Sequence, residues 1–144
     1  MQTSVDLRLA RHGTIVLLLG LLVGFVIGKF HDRGVGDAAH LVGLIGGFGT
    51  IALSTLWPKL NLGRSLSTVG AWVTVACMYL NWLGVVLLGG FLEPALPWSR
   101  VAHVLLQMAI WLSLLSTAIV LFGLRGSDWR QRAGAAPNAS AIAK

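Results

Sequence analysis

The stretch Ala38-Ala39-His40-Leu41-Val42-Gly43-Leu44-Ile45-Gly46-Gly47-Phe48-Gly49-Thr50-Ile51-Ala52-Leu53-Ser54-Thr55-Leu56-Trp57, closed by Pro58, decides the fold. Twenty residues pass without a charged side chain. A helix of that length rises about 30 Å, the thickness of a bilayer's hydrocarbon core. Pro58 ends it, because proline donates no backbone hydrogen bond and its ring clashes with the preceding turn. Three more segments of the same kind surround it, giving expected spans at 13–30, 38–57, 66–92 and 100–124. The connections are short, so consecutive helices should run antiparallel. The expected fold is an all-α integral membrane protein, a four-transmembrane-helix antiparallel bundle occupying 1–125 as one domain, with a mobile tail over 126–144.

Composition agrees with that reading. Of 144 residues, 56% are hydrophobic and 11% charged, whereas a soluble domain carries about a quarter charged residues. A chain this short cannot hide so much apolar surface in one core, so lipid must cover the rest. The net charge of +6 does not mark a nucleic-acid partner, because the basic residues sit at the ends of the apolar segments, where lipid headgroups lie. The single cysteine, Cys77, excludes an internal disulfide and a Cys-rich metal cluster. Arg8 and Arg11 before the first segment resemble a signal peptide's basic start, but no small-residue cleavage site follows; the segment runs into Gly28-Lys29-Phe30-His31 and is read as retained.

Eight basic residues (Arg8, Arg11, Lys59, Arg64, Arg125, Arg130, Arg132, Lys144) would share one side of the membrane, against Lys29, Arg33 and Arg100 on the other. Both termini are therefore expected in the cytoplasm. Trp57, Trp98 and Trp129 lie near segment ends and are read as interfacial. Asn138-Ala139-Ser140 matches a glycosylation pattern but falls in the tail assigned to the cytoplasm.

Gly20, Gly24 and Gly28 repeat every fourth residue, as do Gly43 and Gly47, a spacing that lets helices approach closely. The run from Gly43 to Gly49 lacks the lysine of a phosphate loop and lies inside an apolar helix. His40 shares a face with Gly43, Gly47, Thr50 and Ser54. A neutral imidazole there either ligates a metal or haem iron, with the glycines leaving room for a flat group, or bonds a neighbouring helix. His103 sits at similar depth in the fourth helix, so His40 and His103 together are either a pair of haem ligands or two interfacial histidines. In the third helix Gly70, Thr74, Cys77, Asn81 and Gly84 form one stripe. An unpaired Asn81 amide in lipid costs several kcal/mol, so Asn81 faces a neighbouring helix, a cofactor or a cavity. Tyr79 points to another face, with Trp72, and is kept beside Asn81 as a candidate catalytic residue. The four segments hold no buried Asp or Glu, which argues against an ion-coupled transporter or proton pump.

Ala39-His40-Leu41, Ile51-Ala52-Leu53, Trp57-Pro58, Tyr79-Leu80-Asn81-Trp82 and Gly123-Leu124-Arg125, with Arg11-His12-Gly13, resemble the pattern of hydroxylaminobenzene mutases from about Arg8 to Arg125. These small membrane proteins rearrange an N-hydroxyarylamine to an aminophenol. The pattern is more distantly similar to styrene oxide isomerase, a trimeric four-helix enzyme using haem b as a Lewis acid. That resemblance implies His40 as axial ligand to the haem iron, and Asn81 at the position of the isomerase's helix-three asparagine. This chain departs from both patterns. Val42 stands where the mutases often have Glu, Gly46 where the isomerase has an active-site Asn, and Val85 where it has a Tyr.

The expected function is a membrane-bound isomerase converting a small aromatic hydroxylamine to an aminophenol. Its site would comprise Asn81 and Tyr79 as catalytic residues, with haem b bound by His40, Gly43 and Gly47 and His40 as the ligand to iron. An epoxide-to-aldehyde isomerase, a b-type cytochrome and a cofactor-free accessory subunit are the alternatives. The expected setting is a bacterial inner membrane, as a homo-oligomer on the trimeric model of the resemblance.

Overall fold

The computed structural model describes the backbone over residues 3–89 and 96–134, and side chains over 5–88 and 100–125. Its elements are α1 (Thr3–Val26), α2 (Arg33–Leu56), α3 (Arg64–Gly89) and α4 (Leu96–Gly134), with 3-10 turns at Ile27–Lys29 and Trp57–Lys59. Four apolar spans, Val5–Lys29, Arg33–Lys59, Arg64–Leu88 and Arg100–Arg125, each run 25 to 27 residues. At 1.5 Å per residue each reaches about 38 Å, enough to cross the hydrocarbon with some tilt. The described residues are helical throughout apart from their connections.

Helix ends run past the apolar pattern at the starts of α1 and α2 and the end of α4, while α1 itself stops at Val26, before Phe30. α1 starts at Thr3, ten residues before Gly13, and carries Asp6, Arg8 and Arg11 as helical residues. α2 starts at Arg33 because Asp32 caps it: one carboxylate oxygen accepts from the backbone N–H of Gly34 at 2.8 Å and of Val35 at 3.3 Å. α4 continues to Gly134, so the first nine residues of the segment expected as a mobile tail are helical. Hydropathy marks where lipid is; a helix stops only where its backbone groups find another partner. The end of the third expected span, the side chains of Trp98 and Trp129, and Asn138 lie outside the described residues.

Helices pair as two hairpins. Across α1 and α2, Gly13 meets Ile51, Leu17 meets Gly47, Gly20 meets Gly43 and Gly24 meets His40. One number climbs as the other falls, the register of an antiparallel pair. Across α3 and α4, Gly70 meets Ile119, Thr74 meets Ser116, Cys77 meets Ser113 and Gly84 meets Leu106. The hairpins join through α2 and α3, and α1 also touches α3.

Two buried clusters hold the ends. At one end Val23, Phe30 and Ala39 pack with Val26, Trp82, Val85 and Val86. At the other, Leu9, Trp57, Leu60, Ala71 and Val75 form the core. Trp57 points into the bundle: it is 1% exposed, and its indole N–H donates to the Ser67 hydroxyl at 2.9 Å. The partner that satisfies the indole N–H inside the bundle comes from α3, ten residues on, so the ring has no need of interfacial water. The connection after Trp57 is pinned to α4 by the Asn61 N–H donating to the Gly123 carbonyl at 3.1 Å.

Candidate active site

His40 emerges about two helical turns into α2 and turns toward α1. Its Nδ1 lies 2.8 Å from the Gly20 carbonyl oxygen. A carbonyl only accepts, so this hydrogen bond requires the proton on Nδ1, which in a neutral ring leaves the lone pair on Nε2. The ring fits because α1 has no side chain opposite it: a Cβ on Gly24 would lie 2.8 Å from both Cε1 and Nδ1 of His40.

Gly43 and Gly47 do something other than leave room for a flat group. A Cβ on Gly43 would collide with the Gly20 backbone, and one on Gly47 would lie 2.6 Å from the Leu17 amide nitrogen. The space expected beneath His40 is filled by α1 itself. The two glycines therefore set the closeness of the seam in which His40 sits.

Trp82 is the α3 side chain that reaches this seam, with its Cδ1 3.2 Å from where a Gly43 Cβ would stand. Its indole nitrogen is buried without a hydrogen-bond partner among the described residues. Such a donor costs about 1–3 kcal/mol when left unpaired, and its ring stands beside Gly43, about one turn along α2 from His40. Sequence reasoning passed over Trp82; its only signal was a position beside Asn81.

The Asn81 stripe runs along the other seam. Thr74, Cys77 and Gly84, which share its stripe, all face α4. Asn81 is half-buried, and the hydrogen-bond partner of His40 is Gly20. Tyr79 faces α1, where its hydroxyl lies 3.2 Å from His12 Nδ1. His12 also meets Tyr79 and Trp72 edge-on, with centroids 5.9 and 5.8 Å away. The sequence placed Tyr79 with Trp72 but did not supply His12 as their partner. His103 is exposed on α4, the helix that packs on α3, whereas His40 faces α1. One cleft of about 290 Å³ opens between α2, α3 and α4, with Gly46, Thr50, Cys77, Met78 and Ser113 among its walls.

A bundle of four membrane-spanning helices with the His40 imidazole clasped in a glycine seam defines a small multi-pass membrane protein with a preset nitrogen ligand. The chain matches the styrene oxide isomerase family over residues 5–125 and belongs to that family. It is similar to hydroxylaminobenzene mutase HabB of Ectopseudomonas oleovorans, 30% identical over 150 residues that cover 92% of this chain and 91% of the relative. Hydroxylaminobenzene mutase HabA of the same organism is 35% identical over 73 residues, 51% of this chain and 54% of the relative. No solved structure matches the chain. Family and relatives alike are named for isomerisations, and this chain is a membrane isomerase.

Proposed function

We propose that the protein rearranges a small aromatic hydroxylamine to an aminophenol, with ferric haem b held by His40. The observation that carries the haem reading is the hydrogen bond from His40 Nδ1 to the Gly20 carbonyl. Metal-bound histidines regularly donate their other ring N–H to a carbonyl or carboxylate, which fixes the tautomer and strengthens the donor nitrogen. Haem at this position supplies a Lewis-acidic iron. The two relatives named for hydroxylaminobenzene support the substrate class. The family's own description supports an epoxide as the second reading.

The reaction is balanced without a reductant or oxidant. The N–O bond breaks, oxygen joins the ortho carbon, and the hydrogen lost from that carbon ends on nitrogen. The intermediate is a ring cation that water would trap. The chain's part is to hold the site dry and to place polar groups. Val23, Val26, Val85 and Val86 near the His40 end supply apolar walls. Asn81 and Tyr79 remain the candidates for steadying charge, and both act from α3. The Asn81 stripe faces α4 and Tyr79 meets His12 on α1, so a second copy of the chain is the natural source of a further wall beside His40, in keeping with a homo-oligomer. A pair of histidine ligands from one chain finds no support, since His103 is exposed on α4 while His40 faces α1. The eight-to-three division of basic residues supports both termini in the cytoplasm of a bacterial inner membrane.

The test is His40→Ala beside His103→Ala. His40→Ala should lose the haem absorption band together with turnover of hydroxylaminobenzene, and His103→Ala should keep most of both. Styrene oxide, offered to the wild type in parallel, decides between the two substrate classes. Full turnover by haem-free His40→Ala protein would end the haem reading.

A further inference from the structure

Among the glycines of the α1–α2 seam, Gly24 is unlike the rest. A Cβ on Gly13, Gly20, Gly43 or Gly47 would meet backbone atoms of the facing helix. Those four glycines are there so that two backbones can touch. At Gly24 the three nearest atoms all belong to the His40 ring: Cε1 and Nδ1 at 2.8 Å and Cγ at 3.6 Å. Gly28, the third member of the same four-residue repeat, would place its Cβ in open space. One sequence repeat thus contains three different jobs: a backbone contact, an imidazole slot and an unoccupied position.

We infer that Gly24 and the Gly20 carbonyl are positioning groups for His40, selecting the tautomer with the proton on Nδ1 and the lone pair on Nε2. The inference rests on the haem reading only for its consequence on haem affinity; the tautomer is a property of the haem-free chain. The chemistry runs through shape. A methyl group at residue 24 occupies the place of the ring, and the ring, being the free end of a side chain, moves rather than the helix. Moving it breaks the bond to the Gly20 carbonyl. His40 is then free to carry its proton on Nε2, the tautomer that dominates in water, which blocks the nitrogen meant to ligate. An outer partner of this kind is worth about 10- to 100-fold in metal affinity.

Two measurements test it on the full-length protein in detergent. The first is nitrogen NMR of haem-free protein labelled at histidine, with the His40 signals identified by their absence from His40→Ala. The expected result is a protonated Nδ1 and a bare Nε2; a proton found on Nε2 overturns the inference whether or not the protein binds haem. The second is haem titration of Gly24→Ala and Gly28→Ala. Gly24→Ala should bind haem about 10- to 100-fold more weakly while keeping its helical content and melting temperature, and Gly28→Ala should titrate as the wild type. Wild-type affinity and an unchanged His40 tautomer in Gly24→Ala would show that the slot does no positioning. A wild type that takes up no haem at all would refute the haem proposal and leave the tautomer result standing on its own. Should Gly24→Ala fail to fold, the wild-type tautomer still decides.

Discussion

The α1–α2 hairpin is closed by backbone against backbone at Gly13, Gly20, Gly43 and Gly47, while α3–α4 is closed by side chains. In the second hairpin the Thr74 and Ser116 hydroxyls lie 2.6 Å apart, the Cys77 sulfur lies 2.8 Å from the Ser113 hydroxyl, and the same sulfur faces the Ala109 carbonyl at 3.5 Å. Lipid tails are as apolar as leucine, so neither hairpin has a hydrophobic drive to close. One gains dispersion contact from small residues, the other gains interhelical hydrogen bonds. The two solutions differ in tolerance. A hydroxyl pair can be lost and its atoms repartnered along the helix, as Thr74 already bonds its own Gly70 carbonyl at 2.9 Å. A backbone contact has nowhere to go. The ring of His40 is held in the intolerant seam, where a fixed distance to the Gly20 carbonyl can be kept.

The comparison would break first at Gly43. Gly43→Leu places a branched side chain on the Gly20 backbone. Overpacking of this kind costs about 3 kcal/mol or occasionally more, so the variant should melt far below the wild type in detergent or fail to fold. A wild-type melting curve would mean that the hairpin's closeness is not needed.

Thr74→Val probes the other seam with nearly constant volume. Double-mutant measurements on membrane helices put such interhelical bonds near 0.6 kcal/mol, with about 1.7 as the ceiling. The expected change is a small downward shift in melting and no change in turnover. A loss as large as that of Gly43→Leu would erase the distinction between the hairpins, and a loss of turnover at unchanged stability would move the site toward α4, where the Asn81 stripe lies.

The division between legible and illegible follows the range of the interaction concerned. Four spans, the stop at Pro58 and the stripe of Thr74, Cys77 and Asn81 are local: each is written in residues three, four or twenty apart. His40 stood out as an imidazole in an apolar run, and the family pattern around it was readable in the order of short pieces such as Ala39-His40-Leu41 and Tyr79-Leu80-Asn81-Trp82. Which face of α2 meets which helix was not readable, because several glycines of α2 could equally have left room for a ligand or for a neighbour. The structure gives Gly43 and Gly47 to α1. The inward turn of Trp57 was hidden for the same reason: Ser67 becomes a buried acceptor for its indole only once α3 has packed. The pairing of His12 with Tyr79 spans 67 residues and leaves no local trace.

The smallest effect expected is at Gly49, and it tests where the comparison stops. α2 presents Gly43 and Gly47 to α1, but Gly49 faces outward, exposed at the rim of the cleft between α2, α3 and α4. A Cβ there would meet nothing within 4 Å. Within a single chain, Gly49→Ala therefore adds a methyl group to open space and removes a residue that weakens helices by up to about 1 kcal/mol. The expected result is an unchanged or slightly raised melting temperature, with turnover intact. If the alanine instead destabilises the protein or lowers its mass in detergent, the open space is filled in the assembled protein. A glycine with no neighbour in one chain would then have one in the next, and the backbone-to-backbone packing of the first hairpin would extend between copies. α4 supports neither outcome in advance: only 11% of its most apolar window is buried, leaving most of that surface to lipid or to another copy. Measuring mass and melting on the same Gly49→Ala sample separates the cases, since lipid adapts to a methyl group and a packed helix does not.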